Sequence, residues 1–319
     1  MTPSRAVTPS RAGHTPCRTV ELPSTIMNER DQFRRAAIEQ GVPEDEVARF
    51  AELIRFQLHA CPREDGVHAG RRGGRPRLPA GMPWPTCSEG FPLPFLLRLD
   101  CAALPRVPDL ALPADGTLLF FLDQESALDA CGIEAEQEFA RVVYVPAGAE
   151  TMDGEYLVPT GTDLEPFLAP EHEMYAGLQA ELPDWLDRSE NWLSATQIQL
   201  LRDMPHRKEM SALLEQLWPE RQWSLPEDVF VGGYTISAQD PPEVIMMDKE
   251  RRRQARSLPR AERMVAQYEE QQRVMREWVP LAQFGVPDEE YVNARFLIRH
   301  DDLAARRFDR VLSFCEFTE

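Results

Sequence analysis

The sequence predicts an α+β, mainly β fold: a roll-like body of two pseudo-symmetric β lobes, with an N-terminal helical hairpin and a helical insertion in the second lobe. Three signatures that recur in one order carry this reading. The doublet Gly73-Gly74 is answered by Gly232-Gly233. The apolar run Leu118-Leu119-Phe120-Phe121-Leu122 is answered by Phe296-Leu297-Ile298, and Phe139-Ala140-Arg141-Val142-Val143 by Phe308-Asp309-Arg310-Val311-Leu312. Between the first two signatures each copy holds an apolar segment with one polar residue, Leu96-Leu97-Arg98-Leu99 against Leu281-Ala282-Gln283-Phe284. The second copy is longer there, and a helix-like insertion from Asp248 to Trp278 accounts for the excess.

Residues 1–26 hold a near-repeat of Thr-Pro-Ser-Arg-Ala and no apolar run, so a packed element is not expected. The stretch resembles a transit peptide, or Met27 is the true start. From 27 to 61 the pattern reads as an αα-hairpin packed on the body. Asn28 can cap the first helix and Gly41 can end it; Pro43 suits the next first turn, and Val47, Phe50, Ala51, Ile54 and Leu58 form the second stripe. The body then runs from 62 to 319, with lobe one at about 70–146, a connection at 147–228 and lobe two at 229–319.

Within lobe one, the glycine doublet lies in an arginine-rich loop. A phosphate loop would need a Gly-Lys-Ser/Thr ending or a helix start, and prolines follow instead, so a tight turn feeding an edge strand is the better reading. Trp84 between Pro83 and Pro85 is a rigid apolar anchor that lids a core or lines a pocket. A strand at Phe95 to Asp100 places Phe95, Leu97 and Leu99 on one face and Leu96, Arg98 and Asp100 on the other, which predicts a half-buried Arg98–Asp100 pair. Gly116 to Leu122 reads as a strand buried on both faces, and Phe139 to Val145 as another. In the connection, prolines interrupt β patterning and two short helices are expected, at Leu193 to Asp203 and Arg207 to Trp218.

Composition limits function. At 319 residues with 43% apolar and 28% charged residues the chain can bury a large core, and no window approaches the roughly 18 apolar residues of a membrane span. A net charge of −18 disfavours nucleic acid as a partner. Seventeen acids between Asp123 and Glu190 face only Arg141 and Arg188, so this stretch is either a solvated face or a surface for a basic protein such as a toxin. The six cysteines show neither Cys-x-x-Cys nor finger spacing, which suits reduced thiols in the cytoplasm, and no metal or cofactor is expected. No Gly-x-Ser-x-Gly elbow occurs and the histidines are scattered, so catalytic residues remain unassigned and the balance leans against an enzyme.

Gly73-Gly74-Arg-Pro-Arg-Leu-Pro-Ala-Gly-Met-Pro-Trp-Pro, Pro92-Leu93-Pro-Phe-Leu and Leu112-Pro-Ala-Asp-Gly-Thr-Leu-Leu-Phe-Phe resemble the bacterial YwqG-like family, a domain of unknown function. Gly232-Gly233-Tyr234, Gln239-Asp240-Pro241 and Pro280-Leu-Ala-Gln283 resemble its later motifs, and the likeness covers roughly 70–319. It implies a mainly β body and no established activity. Arg98 departs from the family, which tends to have glutamine there.

These readings lead to a soluble intracellular binding or interaction module. Its candidate ligand site is the seam between lobes, where Arg98 and Gln283 would meet Trp84, Tyr234 and Gln239. Alternatively, the glutamines satisfy buried backbone groups and Arg98 merely pairs with Asp100. Two rival functions stand beside the module: a hydrolase whose carboxylates or cysteine assemble only in space, and an acidic partner-capture protein. A deep cleft holding acids with raised pKa would favour the hydrolase.

Overall fold

A computed structural model describes residues 29–130, 132–156, 168–219, 228–236, 242–246, 249–285 and 292–317. The chain opens with α1 (Glu29–Glu39) and α2 (Glu44–Ala51). Strands β1 (Arg55–Cys61), β2 (Val67–Arg72), β3 (Arg77–Pro79), β4 (Phe95–Asp100) and β5 (Thr117–Leu122) follow, then helices α3 (Gln124–Asp129) and α4 (Ile133–Glu136) and strands β6 (Ala140–Val145), β7 (Thr151–Asp153) and β8 (His172–Glu181). Helices α5 (Ala195–Arg202) and α6 (Arg207–Leu217) lead to β9 (Val229–Gly232). The arm is α7 (Pro242–Ile245), α8 (Lys249–Ser257) and α9 (Arg260–Glu277), and the chain closes with β10 (Trp278–Gly285), β11 (Val292–Arg299), α10 (His300–Ala304) and β12 (Leu312–Phe317).

Ten strands form one antiparallel sheet in the order β12-β11-β10-β9-β1-β8-β2-β4-β5-β6, and β3 pairs with β7 in a small ribbon. The β1/β8 pair sits at the middle, and each side repeats one plan. A strand ends in a glycine doublet, two antiparallel strands follow, and a short helix and a 3₁₀ turn (Gln137–Phe139, Phe308–Arg310) precede the edge strand. Registers agree between the halves. Arg71 faces Arg98 and Leu97 faces Phe120 in the first; Phe230 faces Gln283 and Ala282 faces Phe296 in the second. Arg98 and Gln283 thus occupy corresponding positions. The sheet curls until Phe120 and Phe296, also in corresponding positions, meet edge-to-face with centroids 5.2 Å apart in the main core.

All four glycines of the doublets adopt positive φ, between 70° and 83°, a region that L side chains resist. Each doublet therefore turns the chain sharply out of the sheet. Strand β5 is buried on both faces as its sequence predicts: Leu118, Phe120 and Leu122 enter the main core, while Leu119 and Phe121 enter a smaller one with Trp84 and Leu78. The second expected helix does not reach Leu58. It ends at Ala51, and β1 begins at Arg55, because Phe56, Leu58 and Ala60 alternate into the main core while Arg55, Gln57, His59 and Cys61 point to the opposite face. Strand β4 also departs from strict alternation. A register shift between Phe95 and Leu97 sends Phe95 to the smaller core, leaving Leu97 and Leu99 in the main one. The connection, expected to lack regular β structure, contributes β8 to the centre of the sheet.

Candidate functional site

One stretch of sheet face is unusual. In a buried sheet, both faces ordinarily carry apolar residues. Here Gln57 on β1, Gln179 on β8 and Gln283 on β10 are buried, and Arg295 on β11 is buried with Glu316 on β12 as its ion-pair partner. Gln57 and Gln179 are direct cross-strand neighbours. Burying polar groups costs free energy unless they are bonded, so such a band requires a structural or a functional reason.

Part of the reason is structural. Gln283 accepts from the Ile236 N–H at 2.8 Å and donates to the Tyr234 carbonyl at 2.9 Å, and the Arg295 guanidinium donates to the Ile236 carbonyl. Together they fix the segment that leaves Gly232-Gly233. The Glu181 carboxylate, at the end of β8, accepts from the Tyr234 N–H at 2.7 Å. Gly233 allows this approach: a Cβ there would lie 2.5 Å from Gln57 Oε1 and 2.6 Å from Glu181 Oε2. Thr235 in turn bonds Glu243 of α7.

This fixed segment lies beside a cleft of about 580 Å³ lined by Glu181, Trp185, Tyr234, Glu243, Tyr268 and Gln271 among others. The wall opposite Tyr234 belongs to α9, and Trp185 meets Tyr268 edge-to-face at 6.3 Å, so the arm closes the cleft against the segment after β8. A wider recess of about 1140 Å³, lined by Gln57, Gln179 and Trp218, lies nearby, and Glu181 lines both. At the rim of the cleft Trp192 is 71% exposed, an unusual cost for an indole.

Electrostatics sets this cleft apart. Burial raises the Glu181 carboxyl to about 7, against the partial opposition of the Tyr234 N–H and Arg55. Burial also raises Glu243, opposed by its bond to Thr235. The Tyr234 phenol is pushed up to about 12 by desolvation; its hydroxyl donates to the Leu53 carbonyl at 2.8 Å, and the Arg55 guanidinium lies over its ring at 5.5 Å. Among the described residues, Glu243 Oε2 in this cleft, and Gln57 Oε1 and Gln179 Oε1 in the neighbouring recess, are buried acceptors that meet no donor. The cleft can therefore hold a proton on Glu181 near neutrality, accept hydrogen bonds from a guest, and stack its rings against an apolar face.

Of the five residues expected at the lobe seam, four are described, and Trp84 and Arg98 lie apart from Tyr234 and Gln283. Tyr234 and Gln283 come together, and Gln283 bonds the backbone of Tyr234 and Ile236, as the alternative reading expected of that glutamine. Arg98 lies in the other half, bonded to Asp100 at 2.9 and 2.8 Å, in a recess with Gly73, Gly74 and Arg71. The arginines there face acids, Arg71 with Glu171 and Glu173 and Arg77 with Asp153. Trp84 is buried in the smaller core, its indole N–H donating to the Leu93 carbonyl at 2.8 Å. Gln239 lies outside the described residues. Glu181, Glu243, Gln57 and Gln179 were not singled out in the sequence, where acids are abundant and nothing marks which become enclosed. The polar half of the β1 alternation was the available signal.

Several acids of the 123–190 stretch have partners within the chain. Asp123 caps α3, Glu136 accepts from the Cys315 N–H at 2.7 Å, Glu138 accepts from the Ser88 N–H at 2.9 Å, and Glu173 bonds His68. Two cations of the arm are met within it, Arg251 and Arg273, both by Glu270. No helix among the described residues is long and apolar enough to cross a membrane. Among the described residues, one set of donors converges closely enough to hold a metal ion: His59, Cys61 and Asp228.

One family model, described as a domain of unknown function (DUF1963), matches residues 70–316, from the first doublet to the last strand. Comparison with curated proteins finds no match. Every cleft residue named above from Glu181 onward falls inside the matched span, whereas α1, α2 and β1 precede it. Over more than half its length, then, the sequence fits that family, and the chain belongs to the DUF1963 family of domains of unknown function.

Proposed function

We propose that this protein binds a small organic ligand in the cleft between the Gly232–Ile236 segment, the end of β8 and helix α9. The observation that carries the reading is a buried acceptor of the cleft that meets no donor, Glu243 Oε2, beside a carboxyl poised near neutrality. Such a floor suits a ligand rich in O–H or N–H donors, and Trp185, Trp192 and Tyr268 suit one with a flat apolar face. An amine-bearing or polyhydroxylated ring has both features. The test is a thermal-shift panel of sugars, amino sugars and aromatic amines on the wild type and on Tyr268→Ala. A bound ligand must raise the melting temperature of the form it binds. The reading expects compounds that stabilise the wild type and not the variant; a panel in which no compound stabilises the wild type, or in which both proteins respond alike, overturns it.

The raised proton affinity of Glu181 and Glu243 supports a second reading, hydrolysis of the bound ligand with Glu181 as general acid. Product formation abolished in Glu181→Gln while binding survives would distinguish it. A third reading, a basic protein partner for the acids of 123–190, is supported by their number alone, and some of them, such as Glu136, Glu138 and Glu173, are already bonded within the chain. The matching element order and registers of the two halves support an internal duplication, and the doublet motifs support placement with YwqG-like relatives. The thiols of Cys61, Cys87, Cys101 and Cys315 are not joined in disulfides, which supports a reducing compartment.

A further inference from the structure

We propose that His59, Cys61 and Asp228 form a zinc-class metal site at the centre of the sheet, independent of the ligand cleft. The strand geometry generates it. Residues two apart on β1 share a face, so His59 and Cys61 project together. The antiparallel register pairs His59 with Phe230 and Ala60 with Val229, which brings Asp228, one residue ahead of β9, opposite Cys61. The imidazole, thiol and carboxylate donors all lie within 4.8 Å of one another, and His59 Nε2 is 3.1 Å from Asp228 Oδ2. Ligand atoms held at zinc bond lengths of about 2.0–2.3 Å around a tetrahedron are separated by about 3.5 Å. The cluster is thus already near the required dimensions.

Three further observations favour a metal. All three side chains are fully buried, and a dication bound by one thiolate and one carboxylate gives a neutral assembly, which removes most of the cost of enclosing either anion. The Phe230 ring stacks on the His59 imidazole with centroids 4.7 Å apart, fixing the plane in which its nitrogen points. Mixed nitrogen, sulfur and oxygen donors select zinc over magnesium or calcium, which take oxygen. The same donors could in principle activate a cysteine nucleophile, but full burial denies it a substrate. The role is therefore to clamp β1 to β9 where the two halves of the sheet join.

The test uses the full chain produced in medium supplemented with cobalt, which replaces zinc and reports its ligands optically. The proposal expects about one cobalt per chain, tetrahedral d–d bands, and a thiolate-to-cobalt charge-transfer band. In Cys61→Ser, a near-isosteric change, the charge-transfer band should vanish; in Asp228→Asn the metal content should fall at least several-fold. Folding of both variants is checked by circular dichroism, and zinc content of the wild type made in ordinary medium provides a measurement needing no variant. A folded wild type with neither metal overturns the proposal, as does a charge-transfer band that survives in Cys61→Ser.

Discussion

Replacing Gly233 with alanine tests how the second doublet builds the cleft. Its φ of +76° by itself costs an L residue about 1–2 kcal/mol. The new Cβ would also sit 2.5 Å from Gln57 Oε1 and 2.6 Å from Glu181 Oε2. Both atoms end flexible side chains and can retreat, but Glu181 then surrenders its bond from the Tyr234 N–H, and an unsatisfied buried group costs about 1–3 kcal/mol. The expected loss is about 2–5 kcal/mol. Gly41→Ala is the control, since Gly41 has a φ of +87° with nothing within 4 Å of its Cβ position, so only the backbone cost of about 1–2 kcal/mol applies. Urea unfolding measures both through the midpoint at constant m. A Glu181→Ala background should relieve part of the Gly233→Ala cost, because the clashing carboxylate is gone. Equal losses at positions 233 and 41, or strict additivity with Glu181→Ala, would refute the packing argument.

Other expectations follow from the same contacts. The Glu181 carboxyl is raised from 4.5 to about 7, so its neutral form is favoured in the folded state; this contribution is full at low pH and lost as pH rises from about 4.5 through about 7. Glu181→Gln should therefore flatten the stability decline over that window by up to about 3 kcal/mol, measured by urea melts across pH, with Glu136, also raised to about 7, and Glu243, also raised by burial, contributing to the slope that remains. Phe120→Ala and Phe296→Ala should each cost about 3–5 kcal/mol, and their double-mutant cycle should show about 0.5–1.5 kcal/mol of coupling, since the rings touch across the curled sheet. Arg295→Ala leaves Glu316 buried without its guanidinium and should cost about 3–5 kcal/mol, against less than about 1 kcal/mol for the half-exposed Arg98→Ala. Chemical denaturation of the two variants compares them directly.

How much of this was legible in the sequence depends on what each residue had to signal. Strand β5 was plain, because five consecutive large apolar residues can only be covered from both sides. The doublets were plain too, since positive φ demands glycine whatever surrounds it. Strand β1 was not, because Leu58 fits both the helical stripe from Val47 and the alternation of Phe56 and Ala60, and no proline or glycine marks the change. Strand β8 was hidden by small residues: Ala176 and Ala180 alternate with Tyr175, Gly177 and Gln179, a weak apolar signal for a strand that owes its burial to its neighbours. At the site, Tyr234 and Gln283 stood out beside their doublet. Glu181 and Glu243 did not, since enclosure and not residue type makes them unusual, and enclosure depends on an arm distant in sequence. Arg98 and Gln283 pair in matching registers, each with the residue two ahead of a doublet, but they lie apart, one in each half of the sheet.

The most direct test of the cleft is isothermal titration of the strongest stabilising compound from the panel into the wild type, Glu243→Gln, Tyr268→Ala and Arg98→Ala. Binding in the second-half cleft predicts affinity reduced about tenfold or more by the first two changes, the size expected when one good hydrogen bond or aromatic contact is lost, and unchanged by the third. Affinity lost in Arg98→Ala and retained in the other two would contradict the account and move the ligand to the recess at the first doublet.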